Sequence, residues 1–153
     1  MSKDARHIVC PHCTRTNRIP DRRDARQAKC GHCRQHLFTG HPMPVSARSF
    51  AANIQCNDIP VVVDFWAAWC GPCKAMAPAF ERAAGEFEPE LRFLKVDTEA
   101  EAELAARYDI RSIPTLMLFH KGNIVAQRAG AVGVEALRDW LRRHAPSTAT
   151  AAS

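Results

Sequence analysis

Six of the seven cysteines in this 153-residue chain fall in three C-x-x-C pairs, and the pairs sit in two different kinds of sequence. Cys10-Pro11-His12-Cys13 and Cys30-Gly31-His32-Cys33 are separated by 16 residues, within a stretch (1–40) rich in Cys, His, Arg and turn residues. That stretch has too few branched apolar side chains to build much of a core, so its order must come from the cysteines. Cys70-Gly71-Pro72-Cys73 instead follows an apolar, β-branched run and opens a helical pattern. Cys56 stands alone and is read as a buried or idle thiol.

Two C-x-x-C knuckles at this spacing supply four thiolates, enough to close a tetrahedron around one zinc ion with no position left for water. Cys10, Cys13, Cys30 and Cys33 are therefore the expected ligands of a structural zinc. The pattern also admits a second redox pair or internal disulfides. His7, His12, His32 and His36 are alternative donors, read as surface residues because four cysteines suffice. Clustered thiolates near a redox pair add the expectation that oxidation could release the metal.

The third pair has a different setting. Pro60 to Trp66 reads as a buried strand, apolar on nearly every residue, and a helix is expected from near Cys70 to Phe87, kinked at Pro78. A thiolate at a helix N-terminus is stabilised by the dipole and by free backbone N–H groups. Two intervening residues let Cys73 turn back and attack a mixed disulfide formed at Cys70. Pro72 suits the first turn. Cys70 is thus expected to be the exposed attacking thiol and Cys73 the buried resolving one. A zinc knuckle or a pair of inert core cysteines is the alternative that a C-x-x-C alone leaves open.

Around this segment, Met43 to Val45 suits a short edge strand. Ser46 or Ser49 can cap a helix that carries Phe50 and Ile54. Leu91 to Val96 is expected as a strand, and Glu99 to Tyr108 as a helix with Glu103 and Arg107 paired at i, i+4. Thr115 to His120 and Ile124 to Arg128 should form a hairpin around Lys121-Gly122-Asn123, with Gly122 at positive φ. Val134 to His144 reads as an amphipathic helix with Val134, Leu137 and Leu141 inward. Trp140 is read as core. The expected fold class is α/β, a mixed central sheet with helices on both faces, preceded by the small cysteine module. The boundaries are 1–40, 43–145 and a disordered tail, 146–153.

Charge is uneven. Residues 1–48 hold 10 Lys+Arg against 3 Asp+Glu, a balance of +7, and the rest hold 11 against 13, a balance of −2, which gives the net +5. Basic segments serve nucleic acid or acidic partners, but a zinc tetrathiolate carries −2 and reduces this one, and nucleic acid is not expected as a partner. The start is polar, no apolar stretch of signal length follows, and the run Ile59 to Trp69 is too short to span a bilayer. Three C-x-x-C pairs fit reduced thiols. The expected setting is cytoplasmic, with no membrane partner.

Val63-Asp64-Phe65-Trp66-Ala67-x-Trp69-Cys70-Gly71-Pro72-Cys73-Lys74, Ile113-Pro114-Thr115, Lys121-Gly122 and Gly130 resemble the motifs of the thioredoxin family over roughly residues 43–145. Ile8-Val-Cys10-x-x-Cys13, Asn17-Arg18-Ile19-Pro20, Ala28-Lys29-Cys30-Gly31-x-Cys33 and Leu37-Phe38 resemble the N-terminal module of its zinc-binding bacterial thioredoxin-2 subclass. Glu99-Ala100-Glu101 and Ile110 to Thr115 also resemble that subclass. The resemblance implies the thioredoxin fold, a zinc ribbon, no bound organic cofactor, and a protein-disulfide reductase. Its substrates would be disulfide-containing proteins, and a flavin-dependent, NADPH-using thioredoxin reductase would recharge it.

The resemblance also implies roles. Pro114 would be a cis-proline beside the cysteine pair, placing the Ile113 backbone to pair with an extended substrate; an ordinary trans turn proline is the alternative. Trp69, Gly71, Pro72, Ile113 and Gly130 would border the substrate, while Trp66 packs beneath. Asp64, a carboxylate in an apolar strand, would have a raised pKa and exchange a proton with Cys73 through water, unless it faces solvent on the strand's other side. Shorter thioredoxins carry a lysine on the next strand as its partner; Phe93 aligns there, with Lys95 two residues on as a substitute. A competing reading makes the chain a binding or chaperone module that works through the ribbon. A reductase needs Cys70 and Cys73 but could act without residues 1–40; a ribbon-driven binder would show the reverse dependence.

Overall fold

The computed structural model describes residues 5–147. Its two sheets correspond to the two kinds of cysteine sequence. In the first, β1 (Ala5–Val9) pairs antiparallel with β2 (Thr16–Pro20), from Ala5 opposite Pro20 to Val9 opposite Thr16. A 3₁₀ turn, Ala25–Gln27, is capped by the Asp24 side chain.

The two knuckles repeat one geometry. Cys10 N–H donates to Arg15 and Cys30 N–H to Gln35, both at 2.8 Å, while the N–H groups of Thr14 and Arg34 return to the carbonyls of Cys10 and Cys30. Thr14 and Arg34 both have φ of 68°. This left-handed backbone is uncommon for non-glycine residues, and, lying just after the second cysteine of each pair, it turns the chain so that the carbonyls of Arg15 and Gln35 meet the N–H of the first. Ile8, Ile19, Ala25, Ala28, Leu37 and Phe38 pack around the knuckles, and Ile59 joins them from the other part of the chain.

The second sheet contains β3 (Met43–Pro44), β4 (Val61–Trp66), β5 (Arg92–Asp97), β6 (Thr115–His120) and β7 (Asn123–Ala129), in the order β3-β5-β4-β6-β7. β3, β5 and β4 are parallel, β6 is antiparallel to β4, and β7 to β6. Helices cover both faces. On one, α2 (Gly71–Phe87) and α4 (Val134–His144) pack Met76, Phe80, Leu137, Trp140 and Leu141 against Val62, Phe93, Leu116 and Leu118. On the other, Phe50 and Ile54 of α1 (Ala47–Cys56) and Leu104 of α3 (Ala102–Arg107) meet Val63, Phe65, Val96 and Phe119. The alternation along each strand separates these two cores.

Local signals account for most boundaries. Ser46 caps α1 in a reciprocal capping box with Ser49, and Arg142, Arg143 and His144 complement the dipole at the end of α4. α2 runs through Pro78 from Gly71 to Phe87. The helix expected from Glu99 to Tyr108 is shorter, because the Asp97 carboxylate accepts from Glu99 and Ala100 N–H and holds a turn there. The expected Glu103–Arg107 pair is not among the ion pairs of the described residues. The β6–β7 loop is two residues, Lys121 and Gly122, both at positive φ (51° and 87°), the signature of a type I′ turn. Val134 is half-buried against the core that Leu137 and Leu141 enter. Cys56 is exposed, on the outer side of the last turn of α1, so of the two expected states, buried or idle, the buried one does not hold. The expected tail at 146–153 lies outside the described residues from 148 onward. Among those described, no helix is long and apolar enough to cross a membrane.

Candidate active site

β4 delivers the chain into the site, and α2 begins there. Cys70 is the N-cap of α2, and Cys73 N–H donates to its sulfur at 3.2 Å. Gly71 and Pro72 occupy the first two helical positions, where the missing Pro72 N–H leaves no intrahelical bond unmade. The two sulfurs are joined as a disulfide. Ala67, Trp66 and Ile113 pack around them.

Cys70 is not exposed as expected. It is 3% accessible and Cys73 is 2%, because the pair is enclosed by that apolar cluster. What distinguishes the two is helix position, not depth. Cys70 Sγ also lies 3.7 Å from the Ile113 carbonyl oxygen.

The Ile113–Pro114 peptide is cis. Gly130, at φ 97°, donates its N–H to the Pro114 carbonyl at 2.9 Å, which places it beside this loop. The described residues contain a second cis bond, Glu88–Pro89, that the sequence did not single out. Trp69 is 67% exposed, with its indole N–H held by Glu99 Oε2 at 3.0 Å. An open cavity of about 180 Å³ runs from Trp69 past Thr98, Ile110, Arg111 and Ser112 to Ile113. Thr98, Arg111 and Ser112 were not read as site residues. They lie in or next to segments noted for their resemblance, but nothing in their side chains marks them as groove lining.

Asp64 is buried at 2% accessibility, and its Oδ1 has no hydrogen-bond partner. Alternation places it on the Val62 face of β4, the face covered by α2, so it does not point to solvent. Burial pushes its pKa up to about 7, opposed by the Lys95 charge. Lys95 stands directly across the β4–β5 register from Asp64, with its ammonium 4.3 Å above the Trp66 ring. Phe93 pairs with Val62 and is fully buried against Phe80, so it offers no charge.

The second cysteine cluster lies in the ribbon. The sulfurs of Cys10, Cys13, Cys30 and Cys33 all lie within 4.8 Å of one another, with Cys10–Cys33 and Cys13–Cys30 at 3.6 Å. A tetrahedral zinc with bonds of about 2.3 Å holds its sulfurs ~3.8 Å apart, so the set has the right size. The N–H groups of His12 and Cys13 point at Cys10 Sγ, and those of His32 and the Asn17 amide at Cys30 Sγ, at 3.3–3.5 Å. Such donors suit thiolates. Burial pushes Cys10 up to about 12; it acts the same way on Cys30, where the N–H donors outweigh it and bring the thiol down to about 5. The donor set fits zinc. His12, His32 and His36 are exposed and outside this group of sulfurs.

Comparison with known proteins bears on both sites. Residues 41–143 match the thioredoxin family model, and residues 9–35 match a model described as "Thioredoxin 2, N-terminal". The chain belongs to the thioredoxin family. Thioredoxin C-3 of Corynebacterium nephridii is 42% identical over 134 residues, 88% of this chain and 92% of the relative. The thioredoxin of Porphyra purpurea is 42% identical and thioredoxin 1 of Nostoc sp. 41%, each over 100 residues, 65% of this chain and 94% of the relative. These shorter thioredoxins correspond in length to the five-stranded unit. The ribbon is the addition, matched by its own family model.

Proposed function

We propose that this thioredoxin is a protein-disulfide reductase in which Cys70 attacks the substrate disulfide and Cys73 resolves the mixed disulfide. The observation that carries the reading is the Cys70–Cys73 disulfide at the N-cap of α2. In the reduced protein a thiolate at Cys70 is favoured by the helix N-terminus and by the Cys73 N–H. It attacks one sulfur of the substrate disulfide, forming a Cys70–substrate bond and releasing the other sulfur as a thiolate, which takes up a proton. Cys73, deprotonated, then displaces the substrate sulfur from Cys70. The substrate leaves as a dithiol, and the protein is left with the disulfide seen here.

Asp64 is suited to take the Cys73 proton, because it can hold or release one near neutral pH on the face beneath α2. The Ile113 backbone, beside Cys70 and preceding cis-Pro114, offers hydrogen-bonding groups to an extended substrate chain. Trp69, Gly71, Pro72 and Gly130 border that approach. Two electrons must be returned each cycle, and a thioredoxin reductase fed by NADPH is the class of partner that returns them. Thiol usage across three C-x-x-C pairs favours a reducing compartment, and we place the protein in the cytoplasm, in electron transport for thiol homeostasis.

Cys10, Cys13, Cys30 and Cys33 would hold a zinc ion whose contribution is structural, since all four positions are filled by protein sulfur. Peroxide that oxidises these thiolates to disulfides would release it; unchanged zinc content after mild peroxide would exclude that behaviour. The reductase reading is tested by NADPH oxidation in an insulin-reduction assay coupled to a thioredoxin reductase. Wild type should consume NADPH and Cys70→Ser should not. No consumption by wild type, or equal rates for the two proteins, would remove the proposal.

A further inference from the structure

Val9 immediately precedes Cys10, and both of its polar backbone groups are held by side chains from outside the ribbon. Its N–H donates to Asn57 Oδ1 at 2.7 Å, and its carbonyl accepts from Arg92 Nη2 at 2.9 Å. Asn57 is the C-cap of α1 and Arg92 opens β5. Asn57 is itself anchored through Nδ2 to the Asn53 carbonyl and to Asn53 Oδ1. Both residues are buried, Arg92 completely.

Two residues upstream, His7 repeats the arrangement. Its N–H donates to Asp58 Oδ2 at 2.7 Å, and its carbonyl accepts from Asp58 N–H at 2.9 Å. The edge of β1 that faces away from β2 would be costly to bury unpaired. At His7 and Val9 it is instead closed by the segment Asn57–Asp58 and by Arg92.

Arg92 lies under the Phe38 ring, 4.4 Å from its centroid, and its Nη1 stands 3.7 Å from Glu88 Oε2. That is a loose pair. The well-made hydrogen bond of this buried guanidinium goes to Val9, not to the carboxylate. The carbonyl it holds belongs to the planar Val9–Cys10 peptide, whose N–H on the opposite side donates to Arg15 at 2.8 Å. The plane from which the first sulfur ligand projects is therefore fixed on both sides.

We propose that Arg92 and Asn57 are positioning residues for the four-cysteine metal site, acting through the backbone of Val9, so that the thioredoxin unit sets part of the metal affinity. The inference rests on reading those cysteines as a zinc site. Linkage makes it reciprocal: bound metal tightens the joint between the two units.

Zinc affinity of the full-length chain is measured by chelator competition for wild type, Arg92→Met and Asn57→Ala. Arg26→Met is the control, because Arg26 reaches Glu88 across the same joint without touching Val9. Loss of either positioning residue should weaken zinc binding by about 10- to 100-fold, as for other residues that orient metal ligands, with Arg26→Met unchanged. Cobalt-loaded Arg92→Met should also show a shifted visible absorption, which reports ligand geometry and does not follow from lower stability alone. Folded variants that bind zinc within about twofold of wild type would overturn the proposal. If neither variant folds, wild type decides it: the Asp58 amide should exchange about tenfold faster after zinc is stripped, and unchanged exchange would overturn the inference. A wild type that binds no zinc removes the metal reading itself, an outcome separate from zinc-binding variants that behave like wild type.

Discussion

Asp64 carries a stability cost for its chemistry. Burial raises its pKa from 3.8 to about 7 against the opposing charge of Lys95. An acid that binds its proton more tightly when folded adds stability that is complete below its unfolded pKa and is lost as pH rises through the folded one. Asp64→Asn should therefore match wild type near pH 4 and become more stable as pH rises to 8, by up to about 4 kcal/mol. Urea denaturation across that range checks it, and a gap independent of pH would refute it. Cys73→Ser should reduce nothing catalytically but should accumulate a substrate joined to Cys70, visible by mass spectrometry; Cys70→Ser should trap none. The lone carboxylate in VVVDFW was legible as a buried titrating group through the family resemblance, because strand alternation alone left open a solvent-facing position. Lys95 was legible only as a candidate substitute partner, since a partner across parallel strands is decided by register, which no local pattern contains.

Capping and turn chemistry organise the elements, and these were the features read most directly. Ser46 and Ser49 satisfy each other's backbone at the start of α1, so Ser46→Ala should cost about 1 kcal/mol in chemical denaturation. Gly122 lies at φ 87°, and a Cβ there would meet Gln55 Oε1 at 3.3 Å. The amide of Gln55 can swing aside, so the backbone conformation dominates, and Gly122→Ala should cost roughly 1 kcal/mol. Where an element was read too long, at Glu99, a side chain competed with the helix. The Asp97 carboxylate captures the N–H groups of Glu99 and Ala100, a contest that residue propensities do not reveal.

The molecule has two cysteine centres, one in the ribbon core and one in the α2 cluster, and no residue belongs to both. If disulfide reduction belongs to the second, replacing Cys10, Cys13, Cys30 and Cys33 together by Ser should leave insulin reduction measurable while abolishing zinc binding. Cys70→Ser should do the opposite. A ribbon-driven binding protein would lose its function in the first variant and keep it in the second. A reductase that could act without residues 1–40 would still be left with exposed core, since Ile59 packs among the ribbon residues and Asn57 and Arg92 bond to Val9.

Spacing along the chain named the candidate chemistry but left alternatives open: each C-x-x-C brings its own two sulfurs together through local backbone, while the meeting of the two ribbon knuckles needs tertiary packing. It also established the alternation of strands and helices, because hydrophobic period and capping residues act within a few positions. The depth of Cys70, the register that sets Lys95 opposite Asp64 and the clamp on Val9 became visible only in three dimensions. Each depends on contacts between segments dozens of residues apart, where sheet register and packing, not neighbouring residues, determine which groups meet.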